Sequence, residues 1–227
     1  MFTTRPYFAG VDSSERGEIS LPPSNPLIRV KKASPGLMVM LCEGKRGRGF
    51  YICRECGSGF QKKPKSHSTP WGAQCQGQVE SDISLGHEFV TDVLQLQFLP
   101  SVEPAVDKMW LAFSLAYALV EGAAEVLDVP SNDLNTTVSH AAGTLLPPLI
   151  LYDNVAGGAG LVAQLQSETL LKRSVVAALS RVSGACGCDE ETSCYGCLRG
   201  YRNQFAHQSL RRGQAKKYLE SLINNWA

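Results

Sequence analysis

The chain has 227 residues, 44% of them hydrophobic, and a formal net charge of +1. That hydrophobic content excludes disorder as the main state, and the length allows one large domain or two small ones. A near-neutral total identifies no partner, but the charges are unevenly placed. Residues 29–65 hold ten Lys/Arg against two acids, residues 80–133 hold ten acids against Lys108 alone, and residues 172–217 hold nine Lys/Arg against three acids. Both basic blocks overlap a cysteine cluster, which suits an anionic partner such as nucleic acid.

Residues 1–26 are rich in Ser, Pro and Gly without periodicity and predict an extended lead-in. Alternation begins at Leu27 and predicts a short strand to Lys32. Leu37–Leu41 and Phe50–Ile52 are apolar runs separated by a Gly/Arg-rich turn, which reads as a hairpin delivering Cys53 and Cys56. These two form a C-x2-C knuckle, and His67 and Cys75 complete a three-cysteine, one-histidine set suited to structural zinc. Cys42 could take the place of His67, although its position suggests a core residue on the preceding strand.

Glu88–Phe98 nearly alternates and predicts one strand, with His87 a structural residue just before it. The stripe Met109, Phe113, Ala116, Val120, Ala123, Leu127 predicts an amphipathic or largely buried helix from Ala105 to Leu127, too short in its apolar part to span a membrane. Leu134–Ser139 reads as a β-branched strand followed by a structural His140, and Leu145–Tyr152 as a strand inside a sheet. The glycine-rich turn after it, DNVAGGAGLV, has the form of a phosphate-cradling βα turn. It matches neither G-x-G-x-x-G nor a P-loop, so close helix packing is the preferred role for Gly157, Gly158 and Gly160. A helix is predicted over 168–182, and a last one capped by Ser209 with Leu210, Ala215, Tyr218, Leu219 and Leu222 on its apolar side.

Between these helices lies CGCDEETSCYGCLRGYRNQFAH. Cys186, Cys188, Cys194 and Cys197 follow a C-x-C-x5-C-x2-C pattern, which suits one tetrahedral zinc ion. A closed four-thiolate set leaves no position for a reacting water, so the expected role is structural. The loop would present Arg199, Tyr201, Arg202 and His207 for nucleic-acid or partner contact. Seven of the eight cysteines fall in the two clusters, which favours zinc ligation in a reducing cytoplasm over disulfides, and the start MFTTRPYFAGVDSS does not read as a signal peptide.

The combination LYDNVAGGAGLV, CGC, SCYGCLRGYRNQFAH and LRRGQA resembles the zinc-binding domain named after the MrfA helicase. The upstream GRGFYICRECGSGF and LGHEFVTDVLQLQF are similar to the C-terminal part of the DISARM anti-phage protein DrmB. This resemblance implies an α/β or α+β fold: a small mixed sheet packed with helices, a β-rich zinc knuckle over 27–80, and an MrfA-type domain over 81–227. It implies about two zinc ions per chain and a non-catalytic role beside a helicase or other defence or repair subunit acting on DNA. A pure protein scaffold is the alternative. A nuclease or hydrolase is less favoured, since no H-E-x-x-H or G-x-S-x-G occurs. No Walker motif occurs either, so ATP hydrolysis by this chain alone is not expected.

Overall fold

A computed structural model describes residues 4–11, 17–139 and 146–226. His140 lies outside them. Among the described residues, thirteen strands and three α-helices make a mixed α+β architecture. The strands are β1 (Thr4–Val11), β2 (Glu18–Leu21), β3 (Ile28–Lys32), β4 (Gly36–Cys42), β5 (Phe50–Cys53), β6 (Gly59–Phe60) and β7 (His67–Ser68). They continue with β8 (Gln74–Cys75), β9 (Val79–Ile83), β10 (Leu85–Thr91), β11 (Val93–Phe98), β12 (Leu134–Val138) and β13 (Leu149–Asp153). The helices are α1 (Lys108–Leu127), α2 (Glu168–Arg181) and α3 (Arg212–Asn224).

The body has three layers. A five-stranded sheet, ordered β12-β13-β11-β3-β2, forms the middle. β13 is buried along its whole length. Leu149 and Leu151 join the large core shared with the helices, while Ile150 and Tyr152 join a smaller core with Met38, Ala33 and Val93. Period-two alternation thus sends successive side chains into two different cores. The smaller core is closed by a three-stranded sheet, β1-β4-β10.

The stretch expected as one strand over 88–98 bends at Asp92. β10 pairs with β4 in the outer sheet, and β11 pairs with β3 and β13 in the middle one. Two further expectations require correction. Residues 1–26 contribute β1 and β2, both hydrogen-bonded into sheets, so they are no lead-in. Pro6 and Gly10 disguise β1 in the sequence, yet both are tolerated because β1 is an edge strand. The middle sheet also draws strands from both sides of residue 80, so the expected domain boundary passes through a hydrogen-bonded layer.

α1 is capped by Asp107, whose carboxylate accepts from the N–H groups of Met109 and Trp110. Twelve of its 20 residues are buried. Its length and composition would suffice to cross a membrane, contrary to the length argument from sequence, but its burial marks it as the core helix. Gly122 is where α2 crosses it: a Cβ there would lie 2.4 Å from the Ser174 carbonyl oxygen and 2.6 Å from Ala178 N. The last helix begins at Arg212 rather than after Ser209, with its predicted apolar side buried.

Candidate metal centres and the adjoining clefts

Two groups of four donors assemble, each with all ligand atoms within 4.8 Å of one another: Cys53, Cys56, His67, Cys75, and Cys186, Cys188, Cys194, Cys197. A tetrahedral zinc with Zn–S near 2.3 Å separates its sulfurs by about 3.8 Å. The C-terminal group has Cys186–Cys188, Cys188–Cys197 and Cys194–Cys197 sulfur distances of 3.5, 3.8 and 3.9 Å. In the N-terminal group Cys53 and Cys75 sulfurs are 3.8 Å apart.

His67 supplies an independent test of fit. Its Nε2 is buried and has no hydrogen-bond partner. A buried, unpaired imidazole nitrogen is costly, and one facing three thiols has its natural partner in a metal ion. Cys42, the alternative donor, sits half-exposed at the end of β4 opposite Thr4 and Leu85, apart from the group.

Both sites are built on tight turns. Gly57 (φ 71°) lets its N–H reach the Cys53 carbonyl at 3.0 Å, and Gly187 (φ 75°) separates the first C-terminal pair. Amides point at sulfur: Gly77 N–H to Cys75 Sγ at 3.3 Å, Cys194 N–H to Cys197 Sγ at 3.2 Å. A hydrogen bond with Ser58 draws the Cys56 thiol down to about 6, and the Cys188 backbone amide draws Cys186 down to about 7. Burial pushes Cys188 up to about 12. Crowded thiolates repel, so only some ionise unaided; a divalent cation lets all four do so together. The donor chemistry fits zinc in both groups, about two ions per chain.

The C-terminal knuckle is bolted to the core. Cys197 and Leu198 are buried in the large core. Arg212, itself buried, donates from Nη1 to the Val182 carbonyl (3.1 Å) and from Nη2 to the Cys188 carbonyl (3.0 Å). Gly213 lies so close to Glu190 that a Cβ would sit 2.6 Å from Glu190 Cβ. These contacts explain the R-G pair of the LRRGQA segment.

The four contact candidates do not act alike. Arg199 donates to Ser193 Oγ (3.1 Å) and Thr192 Oγ1 (3.2 Å), inside the knuckle. His207 Nε2 lies 3.0 Å from the Gly200 carbonyl and 2.9 Å from Asn203 Oδ1, so it is a donor that pins the turn. Tyr201 is 74% exposed, and Arg202 is exposed while donating to the Asn132 carbonyl at 2.9 Å. Tyr201 and Arg202 form a ridge between a cleft of about 540 Å³ and a second of about 390 Å³, with Asn135 lining both. The larger cleft also takes in Asn154, Gln204, and His87. His87 is on β10, exposed, with its ring 6.0 Å from that of Phe89. Sequence reading missed Asn135, Asn154 and His87 as cleft residues because only the fold brings three distant segments together.

The glycine turn after β13 proves to hold an anion of its own. Asp153 is wholly buried, and its carboxylate accepts from the N–H groups of Ala159 (2.7 Å), Leu161 (3.0 Å) and Val162 (2.9 Å). Asp92 accepts from Gly160 N–H at 3.0 Å. Gly158 (φ 77°) has no room for a side chain, since a Cβ would lie 2.2 Å from Asp92 Oδ2. The amides that could cradle a phosphate are therefore engaged by two carboxylates.

Residues 115–198 match the family model of the MrfA Zn-binding domain. The Druantia protein DruE of Escherichia coli (strain UMEA 4076-1) is 27% identical over 197 residues, taking in 72% of this chain and 10% of that protein. In a crystal structure of the DUF1998 helicase MrfA bound to DNA, one chain superposes with a TM-score of 0.52 at 14% identity, over 100% of this chain and 25% of that one. This second likeness is one of fold. The chain spans about a quarter of that helicase and a tenth of DruE.

Proposed function

We propose that this chain is a non-catalytic, zinc-stapled module that supports a helicase acting on DNA, in phage defence or DNA repair. The observation that carries the reading is the C-terminal knuckle: a closed four-sulfur set bolted to the core, with Tyr201 and Arg202 raised between two clefts beside it. In this reading Cys186, Cys188, Cys194 and Cys197 hold one zinc ion, and Cys53, Cys56, His67 and Cys75 hold another. The ions supply cross-links, and no open ligand position is left for substrate. Residues 43–84 form a knuckle inserted between β4 and β10, and the remaining segments form one MrfA-type body. Arg202 contacts phosphate and Tyr201 stacks on a base, while Arg199 and His207 hold the ridge in place. The DNA-bound helicase of similar fold and the Druantia relative support this context.

The test is DNA binding by the zinc-loaded chain, titrated against salt. Arg202→Ala should weaken binding and reduce the salt slope by about 1, and Tyr201→Ala should weaken it without changing the slope. Absence of any salt-dependent binding, together with co-purification of a helicase from nuclease-treated extract, would replace the DNA role by that of a protein scaffold.

A further inference from the structure

The knuckle between β4 and β10 carries a surface of its own. Between Cys56 and Cys75 the sequence GSGFQKKPKSHSTPWGAQ holds three lysines and no acid. Lys62, Lys63 and Lys65 are exposed and enter no ion pair among the described residues. Trp71 is 75% exposed. Its position is fixed by a tight turn: Thr69 N–H donates to the Ala73 carbonyl (2.7 Å), Gly72 N–H to the Thr69 carbonyl (2.9 Å), and Ala73 N–H to Thr69 Oγ1 (3.0 Å). Pro70 and Gly72 (φ 94°) flank the indole and offer it no cover. The lysine loop and the tryptophan turn share a base, because the Phe60 ring meets the His67 ring at 5.3 Å and Ser58 Oγ donates to the Ser68 carbonyl at 3.2 Å. Neither hydrophobic core includes a residue of 43–84. The indole thus belongs to no core among the described residues, and a largely uncovered tryptophan on a hydrogen-bonded turn is a contact group waiting for a flat partner.

We propose that this fingertip is a second contact surface, for single-stranded nucleic acid. The three lysines follow the phosphates, and Trp71 stacks on an unpaired base, whose face a duplex would hide. The inference rests on the DNA reading above but uses none of the residues around Tyr201 and Arg202. The experiment follows tryptophan emission of the zinc-loaded chain as oligo(dT) is added at several salt concentrations. Trp226 is 4% exposed and Trp110, under the Arg211 guanidinium at 4.4 Å, is 38% exposed, so Trp71 at 75% is the indole most open to quenching. Wild type should be quenched. Trp71→Ala should lose most of the quench and bind about tenfold more weakly, while Trp71→Phe should lose most of the quench and keep most of the affinity. Replacing Lys62, Lys63 and Lys65 together by alanine should lower the salt slope by about 2. Wild type that binds oligo(dT) without quenching, with all three variants equal to it, would overturn the fingertip and leave the function standing. Failure of wild type to bind any DNA would overturn both.

Discussion

Replacing Asp153 by alanine should be among the most damaging single changes away from the zinc ligands. Its carboxylate serves three backbone donors at 2.7, 3.0 and 2.9 Å in a site without solvent. Hydrogen bonds to a charged group contribute about 1.5–3 kcal/mol each, and orphaned buried donors carry their full desolvation penalty. Three bonds to one carboxylate are not additive, so a loss of about 4 kcal/mol is expected, a large part of the roughly 5–15 kcal/mol that holds a domain together. At about 2–4 °C per kcal/mol for a chain of this size, the melting midpoint should fall by about 8–16 °C. Asp153→Asn keeps one oxygen, which can still serve Ala159 and Leu161, but turns an amide toward Val162 N–H; about half the loss should remain. Thermal unfolding of the zinc-loaded chain, followed by circular dichroism with and without phosphate, measures both. An unchanged midpoint for Asp153→Ala would refute the assignment. So would stabilisation of the wild type by phosphate that Gly158→Ala abolishes, since the turn would then be an open cradle.

Gly122→Ala gains about 1 kcal/mol in helix propensity, yet its methyl would meet α2 backbone at 2.4 Å, so the net effect should be a destabilisation of about 1–3 kcal/mol in urea unfolding; a stabilised variant would contradict the packing. His67→Ala should reduce bound zinc from two ions to one, with the body's melting midpoint nearly unchanged, whereas Cys42→Ser should leave both ions in place on elemental analysis. Cys197→Ser should also remove one ion, but with a large loss of thermal stability, because Cys197 and Leu198 are part of the main core; equal midpoints for Cys197→Ser and His67→Ala would refute that asymmetry.

Local chemistry was legible in the sequence wherever ligands or periodicity were close together. The C-terminal cysteines, the α1 and α2 stripes and the C-x2-C knuckle all lie within short windows, and their positions follow from spacing alone. Choosing His67 over Cys42 needed the fold, because loop length does not restrict which donor returns to the ion. β1 escaped notice because Pro6 and Gly10 are strand breakers except at an edge, and edge position is a tertiary property. The bend at Asp92 was hidden for a related reason: alternation on both sides of it is unbroken, while the two halves join different layers. The glycine turn shows a further limit. Its composition is the same whether the anion it holds is a ligand or Asp153, and only the fold reveals that the carboxylate has folded back into its own loop.

β4 and β10 are direct neighbours, with Cys42 opposite Leu85, and everything from 43 to 84 leaves and returns between those two residues. In mechanical terms the zinc fingertip is mounted on the end of a hairpin, with both attachment points one strand spacing apart. Such a mount makes the tip an exchangeable part. It can be shortened to a plain turn, or replaced by another tip, with the three-layered body left intact. A set of chains sharing this body could therefore differ chiefly in what they carry at that one hairpin, and a chimaera that swaps only 43–84 is the natural way to move the tip's binding properties from one to another.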